Sequence, residues 1–291
     1  SDGRDQACRR NQRTDLRMER LEAALAKARE QRHTSAGSGL VSDRIKPVVT
    51  AAPARVWQDL PEIALTNERA TTSRITAQVG GVGAAPYDLL RSRTLRQLKE
   101  KDWTRVAVTS PDPACGKTTV SLNLAISLTR QKDIRVMLMD IDLRRPGINK
   151  VLGINGRKSL WEVLAGTAEV EDAAVRLGEN LLIIGNAAAC PHASELLQSD
   201  QTKARIDLME SGWTPDVIIF DMSPMLASDD NVGFMGNVDC SLLVVAAEST
   251  TLQNIDICEK ELAQLTNVLG LVLNKCRYDD PSAGYGYEAY D

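Results

Sequence analysis

An apolar run, Val106-Ala-Val-Thr-Ser110, breaks into Pro-Asp-Pro-Ala-Cys and closes on Gly116-Lys117-Thr118-Thr119, where a helical pattern begins. A short strand, a tight loop and a helix start in this order leave few folds open. The loop N–H groups and the first helical turn face one point, and a bound anion satisfies them. A Gly-Lys-Thr ending is the arrangement that cradles nucleotide phosphates. The candidate cradle is Pro113, Ala114, Cys115, Gly116, Lys117, Thr118 and Thr119. Lys117 reaches the outer phosphates and the Thr118 hydroxyl can ligate Mg²⁺. Cys115 either gains thiolate character at this helix start or is simply a small residue that fits the loop.

A second run, Val136-Met-Leu-Met-Asp-Ile-Asp-Leu-Arg-Arg-Pro146, sets Asp140 and Asp142 two apart at a strand end. A metal–phosphate centre needs oxygen ligands or a base at such a place. Asp221 closes a third apolar run, Val217-Ile-Ile-Phe220. It either holds a metal ion's ligand shell, as in nucleoside triphosphatases, or caps the following turn. Arg144 and Arg145 could hold phosphate oxygens or a neighbouring subunit, or be plain surface charges. Asp229 and Asp230 read as a helix start.

Strand candidates at 105–109, 134–140, 180–184, 216–221, 239–247 and 268–274 alternate with helix candidates at 117–130, 159–165, 194–210, 229–235 and 251–266. Near-continuous apolar strands separated by helices predict a doubly wound, mostly parallel α/β sheet. Ligands sit at the carboxyl ends of such strands, where all three motifs fall.

Hydrophobic content of 43% and a net charge of −4 fit a soluble globular protein and disfavour nucleic acid as a global partner. No apolar run approaches the ~18 residues of a membrane span. The six cysteines show no CxxC spacing, which suits reduced thiols in a cytoplasmic protein.

Three regions differ in character. Residues 1–83 read as a helix over 15–31 followed by a flexible linker rich in Ala, Thr, Val and Pro. The compact domain spans 84–275, opening on an amphipathic helix over 87–101. Residues 276–291 form a flexible tail. Of five tyrosines, four (Tyr278, Tyr285, Tyr287 and Tyr290) lie in the last 14 residues. Hydroxyl nucleophiles on such a segment suit phosphate acceptors, or the aromatics dock on a partner.

With these motifs in hand, the chain resembles the bacterial tyrosine autokinases of capsular and exopolysaccharide biosynthesis (BY-kinases), in their standalone cytoplasmic form. The resemblance covers about residues 84–291. It rests on Thr109 to Thr118 as Walker A, Leu138 to Pro146 as the family's second Asp-x-Asp motif, Ile218 to Pro224 as Walker B, Pro191 to Leu197, and Val272-Leu-Asn-Lys275 before a tyrosine cluster. The segment from Met18 to Arg29 is similar to openings of standalone members, which makes Met18 the expected natural start. The resemblance implies a P-loop NTPase fold of the deviant Walker A (MinD/ParA-like) group, with ATP and Mg²⁺ as cofactors. It implies that Lys117 binds phosphates, that Thr118, Asp140, Asp142 and Asp221 serve the metal, and that Asp140 and Asp142 activate the acceptor hydroxyl. Arg144 joins the nucleotide-binding residues. The implied partners are the tail of a neighbouring molecule, a membrane co-polymerase that activates the kinase at the inner face of the membrane, and a protein-tyrosine phosphatase.

Two departures stand out. Pro111 replaces the first glycine of a generic Walker A. The family's Glu-x-x-Arg-x-x-Arg oligomerisation motif aligns with Ala85, Asp88 and Arg91, keeping only the last arginine, so a weak or conditional homo-oligomer is expected. The alternative reading is a MinD/ParA-like positioning ATPase acting as a nucleotide-dependent dimer switch. That group needs a lysine five residues before the catalytic one, and Asp112 stands there. A third reading, a nucleotide-binding scaffold without catalysis, leaves the full set of acidic residues unexplained.

Overall fold

Apolar strands buried on both faces must be covered by helices on both sides, and the arrangement of this chain follows from that. The computed structural model describes residues 56–276, which belong to one compact unit. The expected helix over 15–31 and the tyrosine tail beyond Cys276 lie outside the described residues.

The strands are β1 (Arg105–Thr109), β2 (Val136–Asp140), β3 (Ala174–Leu177), β4 (Leu181–Ile184), β5 (Val217–Asp221), β6 (Cys240–Ala246) and β7 (Asn267–Asn274). They form one sheet in the order β3-β4-β2-β5-β1-β6-β7, parallel except for the β3–β4 pair. In chain order the helices are α1 (Asn67–Thr72), α2 (Thr76–Val79), α3 (Ala85–Lys101), α4 (Lys117–Leu128), α5 (Ile148–Leu152), α6 (Leu160–Leu164), α7 (Val170–Ala173), α8 (Ala193–Leu197), α9 (Asp200–Trp213), α10 (Asp230–Phe234) and α11 (Leu252–Leu265). Every residue of β1, β2, β4, β5 and β6 is buried, as their continuous apolar runs require. Two apolar clusters lie on opposite faces of the sheet: Met137, Met139, Ile218 and Phe220 belong to one, Val136, Leu138, Val217 and Ile219 to the other.

Strand order positions the site. The chain leaves β1, crosses beyond β5 to form β2, and later returns from β5 past β1 to β6. The reversal opens a crevice at the carboxyl ends of β1, β2 and β5. In the register, Asp140 of β2 lies directly beside Asp221 of β5, and Asp221 beside Val108 of β1.

Three features differ from the sequence reading. The predicted helix over 194–210 is two helices, because the Ser199 side chain caps α9 by accepting from the Thr202 N–H. The antiparallel strand β3 is half-buried and only four residues long, too short for a periodic signal. The expected linker carries packed turns from Trp57 onward: Trp57, Leu60, Ala70, Ile75 and Ala77 are buried. The Trp57 indole donates to the Trp213 carbonyl at 2.8 Å, and the two rings meet edge to face at 6.4 Å. Among the described residues no helix is long and apolar enough to cross a membrane.

Candidate functional site

The loop between β1 and α4, residues 110–116, is tied down from three sides. The Met225 and Leu226 N–H groups donate to the Ser110 and Pro111 carbonyls at 2.7 and 3.1 Å. Asn274, at the end of β7, donates its amide to the Cys115 carbonyl at 2.8 Å. Asn254 of α11 donates to the Asp112 carboxylate at 3.0 and 3.2 Å. Gly116 has φ +96°, and a Cβ there would collide with the Asn274 amide. Only glycine satisfies both the left-handed backbone and that close approach. Cys115 is 2% exposed, with its sulfur 3.5 Å from the Thr250 hydroxyl. This geometry matches the small residue that fits the loop.

Four charged groups of the sequence reading converge here. Lys117, the first residue of α4, sets its Nζ 2.7 Å from Asp142 Oδ2. The other Asp142 oxygen accepts from the Arg145 N–H at 3.1 Å and faces the Ser223 hydroxyl at 3.4 Å. Asp140 Oδ2 accepts from the Gly147 and Ile148 N–H groups, each at 3.0 Å. Asp221 Oδ1 accepts from the Ser121 hydroxyl at 3.1 Å, and the nearby Thr118 hydroxyl favours the ionised carboxylate.

Electrostatics follow from burial. Asp140 and Asp221 are both fully buried. Loss of hydration pushes the Asp140 carboxyl well above the carboxylate range, and the adjoining Asp221 carboxylate adds to the rise. Burial likewise raises Asp221, against the opposing pull of Lys117. For Lys117, burial acts to lower the pKa, but Asp221, Asp142 and Asp140 outweigh it and hold the ammonium charged.

Asp140 Oδ1 and Asp221 Oδ2 are buried and have no hydrogen-bond partner among the described residues. Leaving a buried polar atom unpaired costs about 1–3 kcal/mol, more for a charged group. A small oxygen-seeking cation between adjoining strand ends relieves both costs. Carboxylates plus the Thr118 hydroxyl fit Mg²⁺, which binds through few protein oxygens and keeps waters and substrate phosphates as its other ligands. Among the described residues no group of three or more His, Cys, Asp or Glu side chains is placed to hold a metal ion by itself, so Asp140, Asp142 and Asp221 alone do not make a metal cage.

A cleft of about 490 Å³ opens over this centre, lined by Pro113, Ala114, Lys117 and Asp142 together with Ser223, Pro224, Ala227 and Ser228. Arg144 and Arg145 also line it. The Arg144 guanidinium is held by Asp230 (2.6 and 3.0 Å) and the Ser194 hydroxyl (2.9 Å). Asp230 does begin α10, as expected, and serves as this anchor as well. The sequence reading missed Ser121, Ser223, Asn254, Ser194 and the loop contact of Asn274. Asn274 stands in the Val272 to Lys275 segment of the resemblance, the one signal that pointed near it.

Residues 105–270 match the AAA domain family. The tyrosine-protein kinase YwqD of Bacillus subtilis is 31% identical over 204 residues, covering 69% of this chain and 84% of that protein. Longer tyrosine-protein kinases of Acinetobacter johnsonii and Escherichia coli are also similar, and the chain spans about a quarter of their length, 24% and 25%. Among solved structures, the kinase domain of the Escherichia coli tyrosine kinase ETK superposes with a TM-score of 0.65 at 24% identity, covering 80% of this chain and 95% of that one. The septum site-determining protein MinD of Pyrococcus horikoshii, solved with Mg-ADP, superposes with a TM-score of 0.51 at 24% identity, covering 62% of this chain and 75% of that one. Both solved structures share the doubly wound fold described above. With the loop, the paired strand-end aspartates and YwqD aligned over most of its length, the chain belongs to the AAA domain family of P-loop NTPases and, within it, to the bacterial tyrosine-protein kinases.

Proposed function

We propose that this protein is an ATP- and Mg²⁺-dependent protein-tyrosine kinase that phosphorylates the tyrosines of its own tail, between molecules, and so regulates exopolysaccharide synthesis or export. The observation that supports it most is the convergence of Asp140, Asp142 and Asp221 on the loop lysine, with two carboxylate oxygens left unpaired. Bound Mg²⁺ supplies charge neutralisation for the β- and γ-phosphates, and Thr118, Asp140, Asp142 and Asp221 are the residues to hold it.

The roles divide by exposure. Asp140 and Asp221 are sealed beneath the centre, whereas Asp142 lines the cleft. When Lys117 turns to the phosphates, Asp142 loses its partner and becomes the carboxylate placed to take the acceptor proton. The tyrosine oxygen bonds to the γ-phosphorus, the bond from that phosphorus to the β–γ bridging oxygen breaks, and ADP leaves. Positioning and charge stabilisation account for most of the rate in such a transfer. The loop residues Pro113 to Thr119 cradle the phosphates.

We place the kinase domain at 84–275, with the turns from Trp57 packed on it, and residues 276–291 as the acceptor tail. A membrane co-polymerase with a cytoplasmic segment is the activator consistent with this reading, and a tyrosine phosphatase the reversing enzyme. Asp88 already holds Arg91, Arg130 and Ser127 within one chain. These internal contacts favour weak, conditional self-association.

The positioning-ATPase reading shares the fold and gains nothing from it. Asp112, at the place of that group's signature lysine, is bound to Asn254 instead. The deciding test mixes a Lys117→Met chain, as acceptor, with an active chain whose four tail tyrosines are phenylalanine. Phosphotyrosine on the inactive chain supports transfer between molecules; its absence while the full wild-type chain still modifies its own tail refutes transfer between molecules, and its absence in both refutes the kinase reading.

A further inference from the structure

Three cations line the cleft: Lys117, Arg144 and Arg145. Lys117 is paired with Asp142 at 2.7 Å. Arg144 is neutralised by Asp230, whose side chain is 1% exposed, and Ser228 and Ser194 hold that carboxylate in turn. Arg145 differs from both. Its side chain is exposed and makes no hydrogen bond or ion pair with a described residue. Its backbone, by contrast, is fixed by the bond to Asp142 Oδ1. Among the described residues the cleft therefore carries one positive charge without a partner, three residues from the carboxylate placed to receive the acceptor proton.

The acceptor sequence has a matching pattern. Three of the four tail tyrosines are followed at once by an acidic residue: Tyr278-Asp279, Tyr287-Glu288 and Tyr290-Asp291. Tyr285 is followed by Gly286. Successive Cα atoms are about 3.8 Å apart, so a tyrosine hydroxyl at Asp142 keeps the next side chain near the lip that carries Arg145.

We propose that Arg145 is a specificity-determining residue that recognises an acidic side chain immediately C-terminal to the acceptor tyrosine. The inference rests on the kinase reading above. It makes Tyr278, Tyr287 and Tyr290 the preferred acceptors and Tyr285 the poor one. Phosphate on one tyrosine also adds negative charge beside the next, so Tyr287 phosphorylation strengthens the local pull on this lip.

The test uses the full chain with its four tail tyrosines changed to phenylalanine, so that it cannot modify itself. Synthetic peptides spanning 283–291 keep only Tyr287 as acceptor and carry Glu, Gln or Lys at position 288. The expected result is a kcat/KM about three- to fivefold higher for Glu than for Gln, carried by KM and shrinking as salt rises, the scale of an exposed ion pair. Arg145→Gln brings the ratio close to one, Arg145→Lys keeps much of it, and Arg145→Glu favours the Lys peptide. An unchanged ratio in Arg145→Gln, or a raised KM for ATP with the peptide ratio intact, overturns the proposal and assigns Arg145 to the nucleotide. A wild-type ratio near one overturns it with no variant needed. Transfer to no peptide, and none to the tail of an added Lys117→Met chain or of the wild type, overturns the kinase reading itself, whereas equal transfer to all peptides removes only the role of Arg145.

Discussion

Replacing Lys117 by Met should do more than stop phosphoryl transfer; it should also destabilise the nucleotide-free fold. The Lys117 and Asp142 side chains are 12% and 6% exposed and meet at 2.7 Å, with Asp140 and Asp221 beneath them. Removing one partner of a buried ion pair costs about 3–5 kcal/mol, because the other charge is left without compensation. Asp140 holds a proton readily, which relieves part of the repulsion among the carboxylates, so the lower end, about 3 kcal/mol, applies. At roughly 2–4 °C per kcal/mol for a domain of this size, the melting temperature should fall by about 6–12 °C. The informative companion is Lys117→Met with Asp142→Asn, which removes both charges. It should recover most of the lost stability and none of the activity. Thermal unfolding of the wild type, both single variants and the double variant closes the cycle. Equal melting temperatures for wild type and Lys117→Met, or simple additivity of the single variants, would refute the coupling read from the geometry.

Three further outcomes are expected. Asp140→Asn and Asp221→Asn should each lower the rate of transfer by about 10²–10³ while metal-free nucleotide binding persists; full activity in either, measured by phosphotyrosine formation, would remove that residue from the centre. The Asp140 pKa is higher in the fold than in the unfolded chain, so the folded state carries the extra proton between the two values. Stability of the nucleotide-free protein should therefore decline as pH rises from about 4 toward the raised value, whereas stabilisation by Mg²⁺-nucleotide, which needs the ionised form, should grow over the same range in thermal unfolding. Gly116→Ala should cost about 1–3 kcal/mol from the backbone alone, and displacement of the Asn274 amide should weaken nucleotide binding measured by calorimetry.

The strands and strand-end acids were legible because each is a local pattern. Val136 to Asp140 and Val217 to Asp221 are apolar runs with one charge at the end, and burial in a parallel sheet demands that form. Residues 57–83 were not legible. Their Ala, Thr and Pro content shows weak periodicity, and what orders them is long-range, such as Trp57 against Trp213. The polar partners of the site were hidden for the same reason. Ser121 meets Asp221 across 100 positions, Asp230 meets Arg144 across 86, and Asn274 meets Cys115 across 159. Each is a single unremarkable residue until the sheet order brings it to the crevice. Arg144 shows the limit most clearly: two adjacent arginines look alike in sequence, and a buried aspartate engages Arg144 while Arg145 has no side-chain partner among the described residues.

The central claim, a centre that transfers phosphate to tyrosine, is tested most directly by incubating the purified full chain with Mg²⁺-ATP and mapping modified residues by mass spectrometry. The expected result is phosphate on more than one of Tyr278, Tyr285, Tyr287 and Tyr290 in the wild type and on none in Lys117→Met. Steady ATP hydrolysis with all four tyrosines unmodified would contradict it.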